Sequence, residues 1–185
     1  MGQPQAFLDF INSQSGITLN ESKKDSLLFT NAMNFYNAND YHKAAKAFED
    51  YLSEFSRGFH HLEVNLYAAE CYFELGKSEN NVSYFSKALP FYQTVISEGS
   101  GSQLETALVR AGFITFNHQQ NYSLAQQYYR RLSEIGGVQS NVELALEGYL
   151  RSSIELQDHD GIIDASEKIQ QTNGMAKDIQ DLALF

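Results

Sequence analysis

Apolar residues recur along most of this chain at three- and four-residue intervals, and short polar or glycine-bearing breaks interrupt them. That spacing predicts amphipathic helices rather than strands. Leu28, Ala32 and Phe35 make one apolar face, and Tyr41, Ala44, Ala45, Phe48, Tyr51, Leu52 and Phe55 make the next. Between them, Asn39-Asp40 breaks the pattern and supplies an N-cap for the second helix. The two stripes predict an antiparallel pair crossing at the small residues Ala32 and Ala44, where a larger side chain would hold the axes apart. Ser56-Arg57-Gly58 closes the pair, glycine being suited to a helix C-terminus.

The arrangement repeats with variations. Tyr67, Ala68, Cys71, Tyr72 and Leu75 form a first helix that Gly76 is expected to end. A polar insertion, Lys77 to Asn81, leads to Tyr84, Phe85, Ala88, Tyr92, Val95 and Ile96. Pro90 inside that stripe implies a bend or a late start. Glu98-Gly99-Ser100-Gly101-Ser102 reads as a turn within one unit rather than an interdomain linker. The third pair runs from Leu104, Leu108, Ala111, Gly112 and Thr115 to Tyr122, Ala125, Tyr129 and Leu132, and Gly136-Gly137 closes it. Its internal connection, Asn117 to Asn121, is one residue longer than a tight turn needs. The fourth uses Leu146, Tyr149, Leu150 and Leu156, then Ile162, Ile163, Ser166 and Ile169, with Asn141 as its expected N-cap and Asn173-Gly174 at its end. Residues 1–24 read as a short amphipathic helix through Ala6, Phe7, Phe10 and Ile11 and a linker from Gly16 to Ser22. Residues 175–185 place Ile179, Leu182 and Ala183 on one face and read as the first helix of a truncated further repeat, open to self-association.

A signature marks the second helices: Tyr41-x-x-Ala44-x-x-x-Phe48, Phe85-x-x-Ala88-x-x-x-Tyr92 and Tyr122-x-x-Ala125-x-x-x-Tyr129, with a weak fourth copy at His159-x-x-Ile162-x-x-x-Ser166. The alanine-equivalent position of these copies recurs after 44, 37 and 37 residues. Self-similarity at such a period predicts a stacked array of helix pairs, here 25–58, 62–101, 104–137 and 143–174.

These residues resemble the tetratricopeptide repeat family, most specifically in Asn39-Asp40-Tyr41-His42-Lys43-Ala44 and Gln120-Asn121-Tyr122-Ser123-Leu124-Ala125, with Ala32, Ala69 and Gly112 at its small position. More narrowly, Asp25-Ser26-Leu27-x-Phe29-x-x-Ala32 and Ala107-Leu108-x-Arg110-Ala111-Gly112 resemble long periplasmic repeat proteins of Bacteroidetes-type bacteria, in the style of Tol-Pal coordinators. The family's proline after the second helix is replaced by Ser56, Ser100, Gly137 and Gly174. The resemblance implies an all-α fold, an α-α superhelix or right-handed solenoid of antiparallel pairs, whose first helices line a concave surface. It implies groove positions at Phe29, Met33, Tyr36, Asn37, Leu66, Glu70, Phe73 and Glu74. The later repeats add Val109, Phe113, Phe116, Asn117, Glu147, Arg151, Ile154 and Glu155. It further implies a non-catalytic scaffold for a protein or peptide partner, apolar and basic in character, in the periplasm or cell envelope, with the cytoplasm as the alternative. Other readings are a glycan- or nutrient-binding outer-membrane lipoprotein and a regulatory domain of a larger enzyme. The carboxylate clamp of chaperone-binding members is not expected, because Met33, Glu70 and Glu74 stand where cations would be needed.

Charge narrows the partners. The net charge of −10 disfavours a nucleic-acid backbone. No stretch approaches the ~18 apolar residues of a membrane span. Cys71 is the only cysteine, so no internal disulfide can form, and its apolar helix face implies a buried thiol. No catalytic set, metal site or cofactor is expected. His60-His61 with Glu63 reads as an exposed loop pair, Glu49-Asp50 and Glu54 as a solvated face, and Asp158 in Asp158-His159-Asp160 as an N-cap. Ser152-Ser153 lacks the glycine context of a nucleophile elbow.

Overall fold

A computed structural model describes residue 10 and residues 20–184. Among these residues the fold is all helical: α1 (Glu21–Asn37), α2 (Tyr41–Glu54), α3 (His61–Ser78), α4 (Val82–Glu98), α5 (Gly101–Asn117), α6 (Tyr122–Ile135), α7 (Gln139–Leu156), α8 (His159–Gln171) and α9 (Lys177–Leu182). The expectations for Ala6, Phe7, Ile11 and Gly16 to Leu19 fall outside the described residues. The chain divides into two compact units, one ending at Glu98 and one beginning at Gly99. The Gly99-Ser100 connection, expected as a turn within one unit, is therefore a boundary between two. In each unit consecutive helices pack on one another, and α1 also touches α3 as α5 touches α7.

One local device joins the two helices of every pair. Asn39, Asn80, Gln120 and Gln157 stand in the left-handed region, with φ of 57°, 48°, 51° and 54°. Each is followed by Asp or Asn: Asp40, Asn81, Asn121 and Asp158. The backbone N–H of those four donates back to the carbonyls of Phe35, Gly76, Thr115 and Ser153 at 3.0, 3.1, 2.8 and 2.9 Å. Their side chains accept N–H groups of the following helix, from Lys43, Ser83, Leu124 and Gly161 at 3.3, 3.1, 3.2 and 3.2 Å. In the first, second and fourth turns a Schellman-type ending thus runs directly into an N-cap, and in the third the return bond spans one residue more. The turn after α5 holds one residue more than the turn after α1, as its polar sequence predicts.

Close approach of the helices rests on residues with little or no side chain. Ala32, Ala44, Ala69, Ala88, Ala111 and Ala125 are fully buried. Gly76 does not end a helix; it lies inside α3, where a Cβ would stand 2.9 Å from the Phe85 ring. Gly112 of α5 and Gly148 of α7 face opposite edges of the Tyr129 ring, and a Cβ would meet it at 2.7 and 2.6 Å. Gly58 likewise is no cap, since α2 ends at Glu54. A Cβ on Gly58 would press on the Tyr51 hydroxyl and come within 2.6 Å of the Asp25 carboxylate.

Buried Asp25 anchors the first unit. It accepts the Tyr51 hydroxyl at 2.7 Å and the Phe59 N–H at 2.7 Å. Tyr51 in turn accepts the His60 N–H at 3.1 Å. This joins α1, α2 and the loop to α3 at a site where Asp25 is 5% and Tyr51 0% exposed. Phenols bridge the next helices as well: Tyr72 donates to Glu49 and Tyr92 to Glu70, each at 2.6 Å. Glu49 therefore serves an interhelix bond instead of a solvated face.

Other departures have equally local causes. Helix α1 begins at Glu21, inside the expected linker, because the Asn20 side chain accepts the Lys23 N–H at 2.9 Å. Helix α7 starts at Gln139, so Asn141 is not its cap; its side-chain amide donates to Glu105 at 3.1 Å. Pro90 is exposed inside an α4 that runs unbroken from Val82, which removes the late start. The apolar face of α9 is not open for association: Met175, Ile179 and Ala183 are buried in the core of Tyr149, Leu150 and Ile169.

Helix propensity alone predicts that Gly112→Ala gains about 1 kcal/mol. The trapped Tyr129 ring reverses the sign, with a net loss of about 1–3 kcal/mol expected from overpacking. Urea unfolding of the variant checks this, and a raised midpoint would contradict the packing.

Candidate functional site

A cleft of about 270 Å³ opens on the second unit. Phe116 and Asn117 of α5 form one wall, and Leu144, Glu147 and Arg151 of α7 form the other. Tyr129 and Gly148 lie between them. The α7 residues stand three and four positions apart, so they share one helix face. Gly148 adds no side chain to that face, which lets the Tyr129 ring close the floor and keeps the cleft open above it. Of the groove positions expected from sequence, Phe116, Asn117, Glu147 and Arg151 are brought together here. Leu144, Gly148 and Tyr129 were not among them. A leucine one turn before Glu147, and a mid-helix glycine that propensity disfavours, were the available signals.

Apolar and charged groups alternate around the cleft. The Arg151 guanidinium donates to Glu147 at 2.7 Å, with the two side chains 54% and 35% exposed. Such a pair contributes little to stability. It leaves both charges at the rim, within reach of a ligand. The Asn117 amide donates to the Phe113 carbonyl at 3.0 Å. Phe116 meets Tyr122 edge-on at 5.2 Å, and Phe113 meets His118 edge-on at 5.4 Å. Burial lowers the His118 pKa. Phe113, Leu144 and Ile154 remain 37%, 39% and 43% exposed, and Glu155 is exposed one turn beyond Arg151. Val109 is half-buried.

The expected positions of the first unit are largely committed to the fold. Phe73 is 3% exposed and packs edge-on to Phe85 at 5.4 Å, so it is a core residue and not part of a groove. Glu70 accepts the Tyr92 hydroxyl. Glu74 pairs with Lys77 at 3.0 Å. Phe29 stacks on the His60 ring at 4.0 Å. Tyr36 lies edge-on between Tyr41 at 5.8 Å and Tyr67 at 4.9 Å. Met33 and Leu66 are half-buried, and Asn37 is exposed.

Several groups that could carry chemistry are buried or bonded within the fold. His60 and His61 are not an exposed pair: their side chains are 19% and 20% exposed, because the loop folds onto Phe29 and the start of α3. Burial pushes the Cys71 thiol up to about 12, away from nucleophilic character. Asp158 is an N-cap as expected; the Gln126 amide and the Gly161 N–H hold its carboxyl below the usual range. The hydroxyls of Ser152 and Ser153 donate to the carbonyls of Gly148 and Tyr149. Among the described residues no group of three His, Cys, Asp or Glu could hold a metal ion, and no helix is long and apolar enough to cross a membrane. No family model matches the chain, and no curated protein matches it.

Burial pushes Tyr36, Tyr129 and Tyr149 up to about 12. Unfolded phenols ionise near pH ~10. Above that pH the unfolded chain releases protons that the folded chain keeps, so stability is full below about pH 10 and falls as pH rises toward 12. Urea midpoints measured together with phenolate absorbance should show this loss. Full titration of these tyrosines near pH ~10 in the folded protein would contradict their burial.

Proposed function

We propose that this chain is a non-catalytic interaction scaffold of the tetratricopeptide kind, and that the α5/α7 cleft holds a peptide or protein segment. The observation that carries the reading is the cleft itself. It sets an apolar floor and wall, Tyr129, Phe116 and Leu144, beside the Glu147 and Arg151 charges. A segment with one apolar anchor next to a basic residue fits that chemistry: the anchor fills the cleft and the cation meets Glu147. The helix pairs, the repeated turn and the small crossing residues support the family reading. The burial of Cys71 and the backbone bonds of the Ser152 and Ser153 hydroxyls are compatible with a binding role.

Selection from a displayed random-peptide library tests this. Enriched peptides should share an apolar anchor flanked on either side by Lys or Arg. In fluorescence polarisation, Leu144→Asp should weaken them at least about tenfold, or ~1.4 kcal/mol. Ile163→Asp, on exposed α8 surface away from the cleft, should leave them unchanged. Absence of enrichment, or equal loss in both variants, would overturn the reading.

A further inference from the structure

We propose that the loop between α2 and α3 is a docking knob, and that its socket is the α5/α7 cleft of a second copy of this chain. The inference rests on the reading of that cleft as an interaction site. Phe59, at the loop tip, is 89% exposed, the highest value among the exposed large apolar side chains. An aromatic ring left in water needs an explanation when its backbone is so firmly held. Its N–H is bound by buried Asp25, the next N–H by the Tyr51 hydroxyl, and the His61 N–H by the Gly58 carbonyl at 3.1 Å. The ring leans edge-on against His60 at 5.2 Å, and His60 stacks on Phe29. The knob is thus preorganised, and docking it would cost little conformational entropy.

The socket fits in size and charge. An enclosed apolar cavity of about 150 Å³ accepts benzene. The cleft, at about 270 Å³ and floored by the Tyr129 ring, admits a phenyl group. Exposed Arg57 stands two residues before Phe59 in the same hydrogen-bonded loop. Exposed Glu155 stands one helical turn, roughly 6 Å, beyond the cleft residue Arg151. With the ring in the cleft, Arg57 supplies the charge that complements Glu155, the Glu147 carboxylate being held by Arg151. The net charge of −10 opposes the approach of two copies, but at ~0.15 M salt screening beyond ~8 Å removes most of that repulsion and spares the contact pair. Knob and socket are different surfaces, and every copy carries both.

Sedimentation velocity over a concentration series at ~0.15 M salt tests this. The wild type should associate as concentration rises. Phe59→Ala, which keeps only the socket, and Leu144→Asp, which keeps only the knob, should each stay monomeric. An equimolar mixture of the two should stop at a one-to-one dimer. A wild type that is monomeric throughout, association that persists in Phe59→Ala, or a mixture without dimer would overturn the proposal. Phe59→Ala should still bind the library-selected peptides with wild-type affinity. If association fails while that binding remains, only the self-docking falls; if both fail, the reading of the cleft falls with it.

Discussion

The ring of Tyr129 occupies space that any side chain on residues 112 and 148 would need. This exclusion fixes how α6 sits against its two neighbours. Moving the ring out would leave a void, and adding a methyl would force the helices apart, both penalised in a close-packed interior. The same constraint recurs in milder form at Gly76 against Phe85 and at the buried alanines. Packing this tight needs the chain to reverse in register between helices. The four turns provide it, each with a left-handed residue and a following Asp or Asn that joins the end of one helix to the start of the next. Gln120 and Gln157 accept that left-handed geometry without the side-chain hydrogen bonding that favours Asn, a local cost that the flanking bonds offset.

Much of this was legible because it is local. Alanines at helical spacing gave the crossings, and Asp40 and Asp158 announced their caps by position. Glycine was the residue most often misread. Gly76 and Gly58 carry the same letter as a helix terminator, yet their role is close approach of a ring or a carboxylate from elsewhere in the chain. That role depends on tertiary partners that a linear pattern does not reveal. The same limit hid the phenol bonds. Glu49 and Glu70 lie on faces that read as solvated or groove-facing until Tyr72 and Tyr92 arrive from the next helix.

The candidate cleft divides along the same line. Phe116, Asn117, Glu147 and Arg151 were recoverable from repeat register, because register determines which first-helix positions face alike. Leu144 and Gly148 were not, because their importance comes from what Tyr129 does behind them. In the first unit the same register pointed to Phe73 and Glu70, which packing and hydrogen bonding then took for the fold. Register nominates positions; the size of the neighbours decides which of them remain at the surface.

Core and cleft are consequently one construction. Gly148 is small for the sake of the Tyr129 ring, and the absent side chain is also what leaves room beside Leu144 and Arg151. In the first unit, Asp25 accepts the Tyr51 hydroxyl and the Phe59 N–H together, so the bond that ties α1 to α2 also sets the position of the exposed loop. A buried carboxylate is costly to desolvate and is retained where several donors satisfy it. Here those donors come from a helix and from a surface loop, so changes at Asp25 would alter stability and loop geometry together. Substitutions at Phe59 or Leu144, on the outer side of these supports, separate the two because they remove apolar surface without touching the bonds beneath.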